Sequence, residues 1–259
     1  MYRGDQPTFC RGCGDRWAPG AATCGRCGEP VIARLVDDGF GRKLPAFTRQ
    51  GGLVRALTVL TIVYALTVVA DLAAAWAERD ALLAYLRTDL WTQALFDALA
   101  SHGWWTLGSS AAYLGVIVLF GVWLVRAGRN LRALGVIDTR DLDEARLLWF
   151  FVPVLHLYRP LLGVRQLWQG SRAPDPRRWQ QEPTSLLLWG WWLLWLASNA
   201  LGDASLYLMS TSDDTATRLT GTELDLGWAL TRLLCVPLFL AVVWGIERAQ
   251  ARRGPAAAT

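Results

Sequence analysis

Four long stretches of this chain carry almost no charge, and they constrain its fold more than any other feature. Between Arg55 and Glu78 there are 22 residues, of which only Asp71 is charged. At a rise of about 1.5 Å per residue, a helix of that length spans a hydrocarbon core about 30 Å thick. Three similar stretches follow. The sequence therefore predicts a mainly α, polytopic membrane protein with four transmembrane helices at about 55–77, 107–126, 184–202 and 226–246.

Two further segments are apolar but unsuited to crossing a membrane. Residues 80–102 place leucines at three- and four-residue spacing among acidic residues, which is typical of a helix lying along a membrane surface. Residues 147–158 are uncharged over only 12 positions and contain Pro153, with Pro160 just beyond. We predict an interfacial helix at about 80–102 and a proline-broken, re-entrant or interfacial hairpin at about 147–169.

The first 30 residues contain two identical C-x-x-C-G motifs. Cys10 and Cys13 form the first pair, Cys24 and Cys27 form the second, and ten residues separate the pairs. Four thiolates from two tight turns complete the tetrahedral shell of a structural zinc site. Disulfides or a redox C-x-x-C motif are the alternatives, but neither is typical of two matched turns. The sequence predicts a zinc ribbon over residues 1–30 that depends on the metal for its folding.

Arginine and lysine are distributed unevenly between the two predicted sides of the membrane. The side that holds both chain ends carries 22 of these residues, and the opposite side carries four. Positively charged loops favour the cytoplasm. We therefore predict a protein of the bacterial cytoplasmic (inner) membrane with both termini cytoplasmic. A linker at 31–52 would join the ribbon to a transmembrane domain at 53–250, and residues 251–259 would form a cytoplasmic tail.

The ribbon is a weak candidate for nucleic-acid binding, because residues 1–30 hold four arginines against three acidic residues. Nucleic-acid modules concentrate positive charge on one face. We expect the ribbon to contact a cytoplasmic protein partner or to be purely structural. The helices should contact membrane lipids and, in one alternative, further copies of the same chain.

Two groups of polar residues in the membrane domain are candidate sites. The first group places guanidinium groups beside aromatic side chains, which suits binding of an anionic ligand or a lipid headgroup. The alternative is that these arginines anchor the helix ends at the membrane surface. The group comprises Arg126, Arg129, Arg132, His156, Arg159 and Arg165. The second is an intramembrane polar cluster that would hold the bundle together or line a solute path, and it comprises Asp71, Asn199, Asp203 and, as a further candidate, Arg232. The alternative for Asp71 is exposure at the membrane boundary, because Glu78 follows it by one or two helical turns.

Three stretches of the chain carry a resemblance to a known family. They are Arg129-Asn-Leu-Arg-Ala-Leu-Gly135; Trp149-Phe-Phe-Val-Pro-Val-Leu-His-Leu-Tyr-Arg-Pro160 with Gln166-Leu-Trp-Gln-Gly-Ser171; and Trp189-Gly-Trp-Trp-Leu-Leu-Trp-Leu-Ala-Ser-Asn-Ala-Leu-Gly202. In this order they resemble the bacterial membrane family called domain of unknown function four-three-two-eight, over roughly residues 53–250. The resemblance implies a multi-helix membrane domain, often behind a soluble N-terminal segment, with no assigned activity. This chain has His156-Leu157 where the family pattern has Asn-Leu.

The sequence favours no enzyme class, because it contains no H-E-x-x-H, no G-x-S-x-G and no glycine-rich phosphate loop. A closed metal site beside a helical bundle favours a membrane-tethered interaction or regulatory module. The alternative is a small transporter or channel subunit, for which four helices per chain would require oligomerisation. A lipid-directed membrane enzyme around His156 and Arg159 is the least favoured hypothesis.

Overall fold

The computed structural model describes residues 25–26, 47–136, 152, 157–211 and 214–254. Within these ranges it contains helices and no strands. The elements are α1 (Gly51–Thr88), α2 (Gln93–Ala133), α3 (Arg159–Arg172), a short 3-10 helix (Pro176–Gln181), α4 (Leu186–Thr211) and α5 (Thr215–Arg253).

The four long helices run in alternating directions, and α3 lies at one end of their bundle. Arg253 at the end of α5 donates to the backbone oxygen of Gly170 in α3, and Thr48 just before α1 bonds to Asn130 near the end of α2. We call this the α3 end. The opposite end, where α1 turns into α2 and α4 turns into α5, is called the hairpin end.

Three of these helices, α1, α2 and α5, are long and apolar enough to cross a membrane, which confirms the prediction of a helical membrane protein. They contain 38, 41 and 39 residues. At about 1.5 Å per residue this is roughly 57–62 Å, about twice the hydrocarbon thickness of a bilayer. The fourth predicted span, 184–202, falls in α4, a 26-residue helix that contains four tryptophans and is not one of the three. Its crossing of the membrane stays a prediction.

The structure differs from the predicted interfacial helix at about 80–102. Residues up to Thr88 continue α1, and α2 begins at Gln93. Asp89 ends α1 in a left-handed conformation with φ 52°, and its N–H bonds to the Tyr85 backbone oxygen. The leucine spacing arises instead because two helix ends pack together, which buries Leu82 and Leu95.

The predicted hairpin at about 147–169 lies only partly within the described residues. Its second half belongs to α3, where Pro160 occupies the first turn; backbone N–H groups there have no intrahelical acceptor, so proline costs the helix no hydrogen bond. Arg172 stacks on Trp168, with its guanidinium carbon 3.3 Å from the ring centre. Burial, and then the charge of Arg252, lower the pKa of Arg172 below its ordinary value. Gly245 of α5 allows this stack, because a Cβ there would lie 3.0 Å from Arg172 Nη2.

The core runs between the long helices and continues under α3. Its fully buried large side chains include Leu57, Trp123, Leu167, Leu188 and Ile246. At the α3 end a polar network accompanies them. There Gln250 donates to the Ala127 backbone oxygen at 3.0 Å and to Ser171 Oγ at 3.2 Å. Apolar burial and satisfied amide groups together fix α3 against α2 and α5.

Candidate functional site

Among the described residues, α1, α2, α4 and α5 surround a cavity of about 710 Å³. Most of its wall is apolar and includes Val116, Phe120, Trp191 and Phe239. The cavity opens along α2, where the lining residue Val118 is 67% exposed. A pocket of this size and character is typical of sites that bind a small apolar or amphiphilic molecule.

Arg232 of α5 is a buried arginine in the cavity wall, with 6% of its surface exposed. Its Nη2 donates to Asn199 Oδ1 at 2.6 Å, and its Nη1 donates to Tyr113 Oη at 3.3 Å. The guanidinium carbon lies 4.5 Å from the centre of the Tyr113 ring. Within the described ranges no carboxylate lies at ion-pair distance from Arg232, and its Nε has no hydrogen-bond partner. Its charge is therefore balanced there by neutral groups alone.

Two other buried polar atoms, one in the cavity wall and one on the amide that binds Arg232, have no hydrogen-bond partner in the described part of the chain. They are Tyr64 Oη and Asn199 Nδ2. The Tyr64 ring lies 5.4 Å from the ring of Tyr113, whose hydroxyl accepts from Trp195 Nε1 at 3.0 Å. Hydroxyl, amide and guanidinium groups all donate hydrogen bonds. This end of the cavity thus presents unused donors and a positive charge, which suits an anionic acceptor.

The other end of the cavity is also basic. Arg126 and Arg129 of α2 line it, and both are exposed. Thirteen residues of α2 separate Tyr113 from Arg126, which corresponds to about 20 Å along the helix axis. The apolar space therefore extends between two positively charged ends.

A second group of polar residues joins α1, α2 and α5 nearer the hairpin end. We call it the charge cluster, and it consists of Asp71, Glu78, His102, Arg218 and Asp225. His102 Nδ1 lies 2.5 Å from Glu78 Oε2, while its Nε2 lies 3.4 Å from Asp225 Oδ2 and 3.8 Å from Asp71 Oδ1. Arg218 Nε donates to Glu78 Oε1 at 2.9 Å. Glu78 is 0%, Asp71 3% and His102 5% exposed, so these charges are held inside the protein.

Hydroxyl groups complete the hydrogen bonding of the two α1 carboxylates. Thr106 donates to Asp71 Oδ1 at 2.9 Å and Ser109 donates to Asp71 Oδ2 at 3.2 Å. Thr222 of α5 lies 3.4 Å from Glu78 Oε1. Buried carboxylates persist where such donors surround them.

Sequence reasoning missed the partners of Asp71, although a signal for them exists. Asp71 and Glu78 are seven residues apart on α1, and Arg218 and Asp225 are seven apart on α5. His102 and Ser109 repeat that spacing on α2. Seven residues are two helical turns, so each pair lies on one helix face. Matched polar pairs on three predicted helices are the pattern from which the cluster could have been found.

The predicted polar cluster of Asp71, Asn199 and Asp203 is divided in the structure. Asp71 belongs to the charge cluster, and its predicted alternative of boundary exposure is wrong because it is buried. Asn199 bonds to Arg232, the further candidate for that cluster, and the two lie apart from Asp71. Asp203 is exposed on α4.

The predicted arginine group is likewise spread over several surroundings. Arg126 and Arg129 line the cavity. Arg165 donates to Gln169 at 3.3 Å, and the guanidinium carbon of Arg159 lies 5.5 Å from the Tyr158 ring centre. Arg132 is half-buried on α2. His156 lies outside the described residues.

The predicted zinc ligands also lie outside the described residues; they are Cys10, Cys13, Cys24 and Cys27. In the part of the chain that the structure describes, no group of three or more His, Cys, Asp or Glu side chains is arranged to hold a metal ion. Cys235 is a free thiol buried against the Trp191 backbone oxygen at 3.7 Å.

Comparison with known proteins identifies the membrane domain. Residues 86–250 match the family described as Domain of unknown function (DUF4328). The chain belongs to this family. The DUF4328 match starts later than the predicted resemblance at residue 53, so it includes α2 to α5 and leaves most of α1 outside. Neither the curated proteins nor the solved structures contain a match.

Proposed function

We propose that this protein is a membrane-tethered regulatory module that binds an amphiphile with one anionic group in its cavity. The observation that carries the proposal is Arg232, a buried cation without an acidic partner among the described residues. Burying an ion without a counter-charge is unfavourable by several kcal/mol in order of magnitude. A bound carboxylate or phosphate would offset that cost and would also use the free donors of Tyr64 and Asn199.

The remainder of the cavity determines what is attached to the anionic group. Its wall between Arg232 and Arg126 is formed mainly by valine, phenylalanine and tryptophan. An apolar chain gains about 25 cal/mol for each Å² that it removes from water. The structure therefore favours a ligand with a hydrocarbon chain, either a free single-chain acid or phosphate or a membrane lipid.

Contacts at the α3 end support a regulatory role rather than a simple anchor. Thr48, which leads from the N-terminal region into α1, exchanges two hydrogen bonds with Asn130. Asn130 follows Arg129, which lines the cavity. A ligand that shifts this part of α2 would thus alter the attachment of the N-terminal region, where we propose the zinc ribbon and its cytoplasmic protein partner.

The proposal includes the topology that the charge distribution predicts. We propose that α4 is the fourth transmembrane helix, since it runs antiparallel to α5 and packs along it from Trp191 near Cys235 to Ser205 near Gly221. Both termini and the ribbon would then lie in the cytoplasm, in agreement with the excess of arginine at the α3 end.

Binding can be measured through the tryptophans in the cavity wall. The full chain is reconstituted in nanodiscs of zwitterionic lipid and titrated with 11-bromoundecanoate, whose bromine quenches nearby indole fluorescence. We expect saturable quenching with the native chain and roughly tenfold weaker binding to Arg232→Gln, since a hydrogen bond to a charged group contributes about 1.5–3 kcal/mol. Arg87→Gln, at an exposed arginine outside the cavity, is the matched control and should bind like the native chain.

Two further arms of this experiment identify the ligand and test the proposal. Equal quenching of the native chain and Arg232→Gln, or equal quenching by the corresponding bromo-alcohol, would refute an anion site. Replacing part of the nanodisc lipid by phosphatidylglycerol separates the two ligand sources. Competition would indicate a lipid headgroup, and its absence would indicate a free single-chain anion.

A transporter subunit is the second candidate, and the charge cluster is the observation that favours it. Ionisable groups inside helices that cross a membrane often mark the path of an ion or proton. Reconstituted vesicles should then show a flux that Asp71→Asn abolishes. Equal flux through vesicles with the native chain and through empty vesicles would remove this candidate.

A further inference from the structure

We propose that His102, enclosed by Asp71, Glu78 and Asp225, is a proton-binding site that fastens α1, α2 and α5 together when it is occupied. The site is separate from the cavity and does not depend on a ligand there. Its residues come from the three helices that are long and apolar enough to cross a membrane.

The geometry around His102 specifies the charged form of its imidazole ring. Nδ1 faces Glu78 at 2.5 Å, and Nε2 faces Asp225 at 3.4 Å. An ionised carboxylate can only accept hydrogen bonds, whereas a neutral imidazole has one donor and one acceptor nitrogen. Both ring nitrogens can serve these carboxylates only if both carry hydrogen. The bound proton therefore belongs to an imidazolium ion.

The charges that face His102 favour the same state. From α1 come the carboxylates of Asp71 and Glu78, and from α5 come the carboxylate of Asp225 and the guanidinium of Arg218. On α2 itself the nearby groups are the neutral hydroxyls of Thr106 and Ser109. With the proton bound, the three carboxylates face two positive charges, those of His102 and Arg218. When the proton is lost, they face only the positive charge of Arg218.

Arg79 does not replace the positive charge that His102 loses with its proton. Its side chain lies toward the surface and bonds to Glu223 and Asp80, both at 3.3 Å. Deprotonation of His102 would leave a ring lone pair facing one of the buried carboxylates, and this arrangement is repulsive. Since each carboxylate is on α1 or α5 and the histidine is on α2, the repulsion acts between the helices. Stability is present while the proton is bound and is lost as the pH rises past its release.

The protonation state can be observed directly, because the chain contains only two histidines, His102 and His156. The full chain, labelled with ¹⁵N-histidine and reconstituted in nanodiscs, is studied by NMR at about pH 8, where an ordinary histidine is neutral. We expect one histidine to show the two protonated ring nitrogens of imidazolium. This signal should vanish in His102→Gln and persist in His156→Gln. Neutral patterns for both histidines at that pH would overturn the proposal, and this reading requires no variant to fold.

A second measurement tests whether the proton fastens the helices. Amide hydrogen exchange is compared between about pH 6 and about pH 10 after correction for intrinsic exchange rates. In the native chain we expect the protection of the amides in 95–105 and 218–226 to be at least about tenfold lower at pH 10 than at pH 6. In His102→Gln we expect the protection of these amides to be the same at both pH values. Equal changes in both chains would refute the fastening role. Glu78→Gln supplies an independent arm, in which the imidazolium signal should be weakened or lost while His156 is unaffected.

Discussion

The side chain of Asn130 pairs with the backbone of Thr48 on both edges of its amide. It accepts from Thr48 N at 2.9 Å and donates to Thr48 O at 2.8 Å. Thr48 lies 82 residues away in sequence, so this pairing ties the approach to α1 onto the end of α2. The same amide lies 3.4 Å from Gln250 Oε1, which brings α5 into the contact. Three helix ends are thus held by a single side chain.

Asn130→Ala should detach the segment before α1 and lower the free energy of unfolding by about 2 kcal/mol, because two partly buried hydrogen bonds between Asn130 and Thr48 are lost. Limited proteolysis should cut this segment several times faster than in the native chain. Gln180→Ala, at an exposed position of the 3-10 helix, is the control and should change neither quantity. Unaltered proteolysis of Asn130→Ala would show that the pairing does not hold the segment.

Gly121→Leu should block the cavity without unfolding the protein. Gly121 lines the cavity, and a Cβ there would meet no atom within 4 Å. The larger side chain should weaken bromoundecanoate binding at least about tenfold, while replacing a helical glycine stabilises the fold by up to about 1 kcal/mol. Gly108→Leu is the matched control on the same helix, since it is equally open and outside the cavity. Equal binding by the two variants would contradict the cavity as the binding site.

Glu78→Gln and Arg218→Gln remove opposite partners of one ion pair and should have unequal effects. Glu78 is fully buried and contacts His102 as well, so its loss deprives both His102 and Arg218 of their shared carboxylate and should cost about 3 kcal/mol. The Arg218 side chain is 41% exposed, so its removal should cost less than about 1 kcal/mol. Chemical unfolding followed by circular dichroism gives both values. Losses below about 1 kcal/mol for both variants would mean that the pair behaves as a surface salt bridge.

Zinc should be bound at about one ion per chain if the four N-terminal cysteines form the predicted ribbon. Elemental analysis of the purified full chain measures this ratio. Cys10→Ser with Cys13→Ser should abolish zinc binding. Cys235→Ser should retain it, because that thiol is buried among the helices. Zinc retained by the double variant would rule out the tetrahedral site of four thiolates.

The positions of the long helices could be predicted because lipid and protein interiors both exclude charge. The stretches at 55–77, 107–126 and 226–246, which carry only one or two charged residues each, lie inside α1, α2 and α5. The ends of these helices could not be predicted in the same way. α1 continues through Glu78 because neighbouring helices supply the partners that make a charged residue tolerable there. Charge in a sequence therefore indicates the end of an apolar stretch but not the end of a helix.

The candidate site was harder to predict, because it depends on the rotation of helices about their axes. Asp71 and Arg232 were recognisable as costly residues in apolar stretches. Which residues they meet is decided by packing, and Asp71 turns toward α2 while Arg232 turns toward Asn199 on α4. His102 lies in the segment whose leucine spacing predicts an interfacial helix, and a single histidine there does not by itself indicate a buried cluster.

The length of the hairpin formed by α1 and α2 has a consequence for the outline of the protein at the membrane. Trp76 and Trp104 are 56% and 73% exposed at nearly the same height, and exposed indoles favour the boundary between lipid and water. We infer that the residues beyond them, 79–101, rise about 15 Å above the bilayer as a helical knob. With both termini in the cytoplasm, as proposed above, an epitope tag in the turn at 89–92 should be reached by antibodies in intact spheroplasts; a tag that antibodies reach only after lysis would contradict that topology.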